Sequence, residues 1–336
     1  MALLEREIDA TLEALGGDAP LMLTMARYHL GLSTSSGEPT DPETRQVVQG
    51  KRIRPLIAML SAEAVGGAAE DAAPLAAATE LLHNFTLIHD DIQDRSPNRR
   101  HRPTVWRVWG DAQAINAGDA LFAASQLAVL RTSGGDIRDL VEAFNRTTIE
   151  IVRGQVLDLE NEGRPDVTPD EYLTMIRGKT AAILRFAAWA GAIVGGASHP
   201  VADQLGEVGE AIGMGFQIRD DMLGIWSPAD ETGKDAADDI RRRKQSLPIL
   251  ILREQASEAD MERIAALYKS EEIGPDGTDE VLAMLRTYDV EARTLAHVTD
   301  AHERAERALS EALPDGDSPA ARALRALITQ LQVRTS

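Results

Sequence analysis

Three aspartates, Asp90, Asp91 and Asp94, fall within five residues at the end of the stretch 81–94, LLHNFTLIHDDIQD. Nothing in that stretch breaks a helix. Leu81, Leu82, Phe85, Leu87, Ile88 and Ile92 give it a broad apolar side. On a helix, Asp90 and Asp94 share a face one turn apart, and His83 lies two turns back along it. Like charges at that spacing cost roughly a few tenths of a kcal/mol. A solvated face tolerates the cost, and a bound cation removes it. Mg²⁺ suits such a pair, because it takes oxygen ligands, keeps waters, and is held by one or two carboxylates plus substrate phosphates. A plain acidic helix end is the alternative at this point.

A second acidic element, GFQIRDD, lies at 215–221. Gln217, Asp220 and Asp221 are three and four residues apart and share a helix face. Basic elements are interleaved with the two clusters: Lys51 and Arg54, Arg99 and Arg100, Lys179, Lys234, then the run 241–244. Carboxylates with separated cations suit a polyphosphate held through Mg²⁺. There is no P-loop pattern, and neither HExxH nor cysteine, so neither a nucleotide P-loop nor a zinc site is expected. No nucleophile–base arrangement can be placed from the sequence.

The elements that position these groups read as helices. The chain has 336 residues, 43% hydrophobic but only 4% aromatic, and is rich in alanine and leucine, which favours helix over sheet. No alternating strand pattern and no fixed-period repeat is present, so the fold class is all-α. Residues 1–30 suit amphipathic helices, 33–44 a loop, and Pro55 the first turn of a helix through 56–65. The basic trio of 51–54 would then sit at a helix N-terminus, where anions are favoured. Residues 95–104 (RSPNRRHRPT) read as a loop suited to phosphate forks. Helices are expected over 111–131 and 136–162, and from Pro169 onward, with a kink near Gly178-Lys179-Thr180 because glycine and threonine are poor mid-helix residues. The polar stretch 227–239 reads as a loop. The net charge of −19 argues against a nucleic-acid binder. The longest apolar region, 180–197, is interrupted by Arg185 and falls short of the about 20 residues of a membrane span. A soluble, cytoplasmic protein without a leader is expected.

The ordered set GKRIRP (50–55), LLHNFTLIHDDIQD (81–94), RRHRPT (99–104), GQVLD (154–158), GKT (178–180), GFQIRDD (215–221) and GKDAADDIRRRKQSLP (233–248) resembles the trans-isoprenyl diphosphate synthases, the polyprenyl synthase family. Each motif alone is weak, and their order is specific. The resemblance implies one domain over 1–336, with its motifs in about 45–255 and further helices over 256–336. It implies an all-α bundle, with the two aspartate motifs facing a deep cavity, and a homodimer. It implies that Asp90, Asp94 and Asp220 ligate a cluster of three Mg²⁺ ions (Mn²⁺ able to substitute) on an allylic diphosphate, with Asp91 and Asp221 supporting. Arg99, Lys179 and Lys234 would bind the same diphosphate. Lys51, Arg54, His83 and Arg100 would bind isopentenyl diphosphate. Thr180 and Gln217 would turn oxygen dipoles toward the allylic cation. A class I terpene synthase on this scaffold and a non-catalytic subunit of a heteromeric synthase are the rival readings.

Two positions depart from the family pattern. Gly224 stands where many members have a third aspartate, and His101 where a glycine is usual. The residues five and four before the first aspartate, Phe85 and Thr86, resemble those of short-chain synthases, where they floor the elongation tunnel. A C20 product is expected over C15 or C25.

Overall fold

The computed structural model describes residues 1–50, 52–162, 164, 166–226, 237–270, 272–314 and 316–333. Lys51 and Lys234 lie outside the described residues. Helices dominate, as the composition implies, and no described helix is long and apolar enough to cross a membrane. Among the described residues the only sheet is a two-stranded hairpin. The chain divides into two compact units, each drawn from separated stretches.

The first unit takes in Met1–Arg146, Phe186–Asp203 and Asp315–Ala321. Its helices include α1 (Ala2–Leu12), α2 (Pro20–His29), α3 (Pro42–Val48), α4 (Ile53–Ala64), α5 (Ala69–Gln93), α6 (Val105–Trp109) and α7 (Asp111–Leu130). The 25-residue α5 is the centre of this unit, packed chiefly against α7, α4 and α1. Residues 72–82 are buried on every side, and their alanines let the neighbouring helices approach closely. Leu81, Leu82 and Ile88 are essentially fully buried, each contributing about 1.5–3 kcal/mol of transfer free energy. Glu70 and Asp71 in the first turn favour the start of α5. Its end is a left-handed stop at Arg95 (φ 51°), where the Ser96 and Arg95 amides donate to the Asp91 and Ile92 carbonyls.

The second unit takes in Thr147–Arg185, Gln204–Pro314 and Arg322–Ser336. The helices after α7 are α8 (Ile137–Asn161), α9 (Pro169–Ile176), α10 (Ala182–Val194), α11 (His199–Trp226), α12 (Asp238–Arg241), α13 (Leu247–Gln255), α14 (Glu258–Tyr268), α15 (Pro275–Thr287), α16 (Val290–Ala312) and α17 (Pro319–Val333). Thr168 and Glu171 form a reciprocal capping box at the start of α9, with Pro169 at its first position. Tyr172, Met175 and Ile176 of α9, Ile218 and Met222 of α11, and Leu247 with residues 249–252 of α13 share one apolar core.

The kink expected near Lys179 is a π-helical turn over Arg177–Ala181. It lies at a close crossing of backbones. A Cβ on Gly154 of α8 would lie 2.2 Å from the Lys179 nitrogen, so only glycine lets α8 come this near. That contact links two of the sequence motifs, GQVLD and GKT.

Candidate active site

In the first unit the acidic triplet occupies the last turn of α5, which carries no basic residue. Backbone carbonyls and the helix dipole already make that end negative, so three carboxylates there work against helix stability. Asp94 is exposed, Asp90 is half-buried, and Asp91 is 1% exposed. Asp91 is held by Arg99, whose Nε lies 2.9 and 3.0 Å from its two oxygens and whose Nη2 is 2.8 Å from Oδ1. Burial raises the Asp91 carboxyl above its ordinary range, against the pull of Arg99.

Arg99 belongs to the stretch expected to be a loop, which folds instead into a hairpin of two short strands, β1 (Asn98–Arg99) and β2 (Arg102–Pro103). Arg100 and His101 form its turn with φ of 50° and 62°, the left-handed pair that a type I′ turn requires. That requirement accounts for the glycine usual at position 101, and histidine is among the residues that tolerate it. The hairpin spreads its arginines. Arg100 donates to the Val48 carbonyl (3.1 Å), and Arg102 donates to the Ser33 carbonyl (2.8 Å) while covering the Tyr28 ring at 4.0 Å.

His83 of α5 is partly buried. Burial, then Arg54, Arg100 and Arg99, push its pKa well below the ordinary value. The structure thus brings Arg54, His83 and Arg100 into one electrostatic neighbourhood. It adds His29 at the end of α2, pushed down by burial and by Arg99, Arg100 and Arg102. Arg52, the remaining described member of the basic trio, is buried in a left-handed N-cap conformation and pairs with Glu5 of α1 at 3.4 Å. It serves the fold. Both histidines stay neutral in the folded chain, while in the unfolded chain each titrates near 6.5. Below about pH 6.5 the unfolded state therefore takes up protons that the folded state refuses. Stability should be fully present above that pH and fall as pH drops, by up to about 1.4 kcal/mol per pH unit for each histidine. Urea titrations at pH 7.5 and 5.5 measure it. A His29→Gln/His83→Gln variant with the same pH slope as the parent would refute the assignment.

Phe85 lies on α5 with its ring 5.2 Å from that of Phe122 on α7 and 4.8 Å from that of His89. The Thr86 hydroxyl donates back to the His83 carbonyl at 2.7 Å, which satisfies its polar atom inside the helix. Phe122 has no motif around it that would single it out in the sequence.

In the second unit, Lys179 of the π-helical turn reaches Asp158 of α8, with Nζ 2.5 Å from Oδ2. Thr180 donates its hydroxyl proton to Gln217 Oε1 (3.0 Å), and Gln217 Nε2 donates to Asp221 Oδ1 (3.4 Å). The amide of Gln217 is thereby oriented, its oxygen toward Thr180 and its nitrogen toward Asp221. Asp221 is fully buried and saturated with donors. Its Oδ2 accepts from the Tyr172 hydroxyl and from the Leu247 amide (3.4 Å), and its Oδ1 also accepts from Lys244 Nζ (3.0 Å). Burial and Asp221 push the Tyr172 phenol well above its ordinary value, so it remains a donor. Burial opposes the Lys244 ammonium, but Asp221 and Asp239 outweigh it and raise its pKa. Asp220, the neighbour of Asp221 in sequence, is half-buried on α11.

From the sequence, Asp158, Tyr172 and Asp239 have no assigned role, and Lys244 enters only within the basic run 241–244. Asp158, Asp239 and Lys244 sit inside quoted motifs, so a search for opposite charges could have paired Asp158 with Lys179 and Asp239 with Lys244. Tyr172 carries no such signal.

A model of the Polyprenyl synthetase family matches residues 41–285. The chain is 42% identical over 230 residues to (2E,6E)-farnesyl diphosphate synthase of Mycobacterium tuberculosis, a match covering 68% of this chain and 63% of that relative's length. It is 40% identical over 252 residues to a geranylgeranyl diphosphate synthase of the same species, covering 74% of this chain and 70% of the relative. Among solved structures, geranylgeranyl pyrophosphate synthetase from Pyrococcus horikoshii Ot3 superposes with a TM-score of 0.87 at 31% identity, covering 99% of this chain and 95% of that one. Family match, identity and shared helical fold agree with the ordered motifs, and the chain belongs to the polyprenyl synthetase family.

Proposed function

We propose that this chain is a trans-prenyltransferase that joins isopentenyl diphosphate head-to-tail to an allylic diphosphate (dimethylallyl, geranyl or farnesyl), releasing diphosphate. One observation carries the reading. Three carboxylates crowd the negative end of α5 with no basic residue in that turn, and a hairpin of arginines follows within a few residues. A cation beside Asp90 and Asp94 offsets the negative helix end, and a diphosphate suits the guanidinium forks of the hairpin.

Magnesium fits these residues. Among the described residues no group of three or more carboxylate or imidazole ligands forms a ready-made cage. Mg²⁺ needs none, since it is held by one or two carboxylates and completes its shell with substrate phosphate and water. Asp90, Asp94 and Asp220 are the proposed ligands, with Asp91 and Asp221 as anchors behind them. Bound Mg²⁺ would supply neutralisation of the charge that builds on the departing diphosphate. Lys179, Arg99 and Lys234 would bind that diphosphate as point charges and forks. Arg54, Arg100, Lys51 and neutral His83 would hold isopentenyl diphosphate. Thr180 and Gln217 would turn their oxygens toward the allylic cation, in an orientation set by Asp221. No side-chain nucleophile is required, and the released diphosphate can accept the proton.

We infer a C20 product, geranylgeranyl diphosphate, from the paired rings of Phe85 and Phe122 below the aspartates. Five residues of helix separate Phe85 from Asp90, about 7.5 Å of rise. Phe85→Ala should shift the product to longer chains, and an unchanged product profile by mass spectrometry would sink the floor assignment. A homodimer is proposed as well. Ile149, Val152, Val156 and Leu159 form an exposed apolar stripe along α8, a face that a second copy would cover. Light scattering at the mass of one chain would refute it. A chain without cysteine suits a reducing cytoplasm, where we place the reaction.

Incubating the purified protein with Mg²⁺, isopentenyl diphosphate and each allylic diphosphate tests the main reading. Chain-extended diphosphates support it. Hydrocarbons alone would indicate a terpene synthase, and no turnover with any primer a non-catalytic subunit.

A further inference from the structure

Arg185 interrupts the longest apolar stretch of the chain and has no part in the proposed reaction. Its guanidinium is engaged on the second unit. Arg185 Nη1 lies 2.8 Å from Glu210 Oε2 and 2.7 Å from Glu207 Oε1, both on α11. Arg177, which opens the π-helical turn, reaches the same carboxylate from the other flank, with Nε 3.3 Å from Glu210 Oε1. Arg304 of α16 stands further off, 3.9 Å from Glu210 and 3.6 Å from Glu207. Glu210 is 8% exposed, so three arginines surround a carboxylate with almost no access to water. A charge so placed is costly to bury unless it is paired.

We propose that Glu210 is a positioning residue: its carboxylate ties both flanks of the π-helical turn to α11 and so keeps Lys179 and Thr180 aimed. Those two side chains lie between Arg177 and Arg185, Lys179 turned to Asp158 of α8 and Thr180 to Gln217. A π-helical turn holds one residue more than an α-helical turn. Relaxing it to α-helix would rotate Lys179 and Thr180 against one flank by about 100°, the angle of one residue. The same relaxation would change the spacing of Arg177 and Arg185, which a single carboxylate now spans. Gly213, three residues beyond Glu210, lets the turn lie directly on α11, since a Cβ there would come 2.6 Å from the Ala181 Cα. Packing sets the distance between turn and helix, and Glu210 sets the register.

The role of Glu210 in turnover rests on reading Lys179 and Thr180 as groups that serve the allylic diphosphate, so two measurements are set side by side. Glu210→Gln removes the charge and keeps the shape. Hydrogen exchange followed by mass spectrometry needs no turnover. Peptides covering 177–185 should exchange about tenfold faster in the variant, with α9 and α13 unchanged. In steady-state kinetics, KM for the allylic diphosphate should rise about tenfold while KM for isopentenyl diphosphate stays within about twofold. Arg177→Gln, at an exposed position, should move both readouts the same way by a smaller factor, and should add nothing to Glu210→Gln. Parental exchange rates over 177–185 in both variants would overturn the proposal. So would faster exchange with an unchanged allylic KM, or an equal rise in both KM values, which marks a general loosening. Failure of the parent to extend any primer refutes the functional reading, while the exchange comparison still decides whether Glu210 holds the turn.

Discussion

Replacing Asp221 by alanine should lower the unfolding free energy by about 3 kcal/mol. The carboxylate is 0% exposed and accepts from four groups. Two of them, the Tyr172 hydroxyl and the Leu247 amide, are buried and would be left without an acceptor. The third, Lys244, has a side chain 45% exposed and retains Asp239, so its ammonium can be rehydrated. That is why the expected loss lies at the low end of the range for breaking a buried ion pair. The fourth, Gln217, loses the acceptor that sets its amide orientation. Turnover should fall along with stability, because Thr180 and Gln217 no longer present fixed oxygens. Asp221→Asn does not rescue the site, since one of its amide atoms must place a donor against a donor. Urea unfolding followed by circular dichroism measures the loss. An unchanged midpoint in Asp221→Ala would show that the four contacts contribute nothing.

The sequence exposed the chemistry and the helices more clearly than the wiring. Asp90 and Asp94 on one helical face, a distortion at Lys179, and the helix opened by Pro169 follow from local spacing and propensity, and the structure has all three. The hairpin at 98–103 did not announce itself, because strands of two residues have no periodicity to read. The division of labour within each aspartate pair came from the family resemblance, with Asp91 and Asp221 supporting, and not from the residues themselves. Nothing in the letters DD tells which carboxylate turns inward to Arg99, or to Tyr172 and Lys244. That depends on partners 8, 49 and 23 residues away. Gly224 shows the same limit. From the sequence it is a missing aspartate, and only the fold shows Asp239 resting on it.

The two motifs share a plan. In each, the second aspartate is buried and pinned, Asp91 by Arg99 and Asp221 by its four donors, while the first, Asp90 or Asp220, is half-buried. Asp94 is the most outward of the set, exposed at the C-cap of α5. Interactions of exposed charges contribute little to stability, so Asp94→Asn should change the unfolding free energy by no more than about 1 kcal/mol. If Asp94 instead serves to hold Mg²⁺ on a departing diphosphate, the same change should cut turnover by about a hundred- to a thousandfold and raise the Mg²⁺ requirement. Asp90→Asn should behave likewise. A large loss of rate beside a small change in stability separates function from folding, because a carboxylate retained only for structure would lose both together. Steady-state rates over a Mg²⁺ titration, set beside urea midpoints for the same variants, read both quantities. An Asp94→Asn enzyme that keeps its turnover, or that unfolds as readily as Asp221→Ala, would remove Asp94 from the metal site.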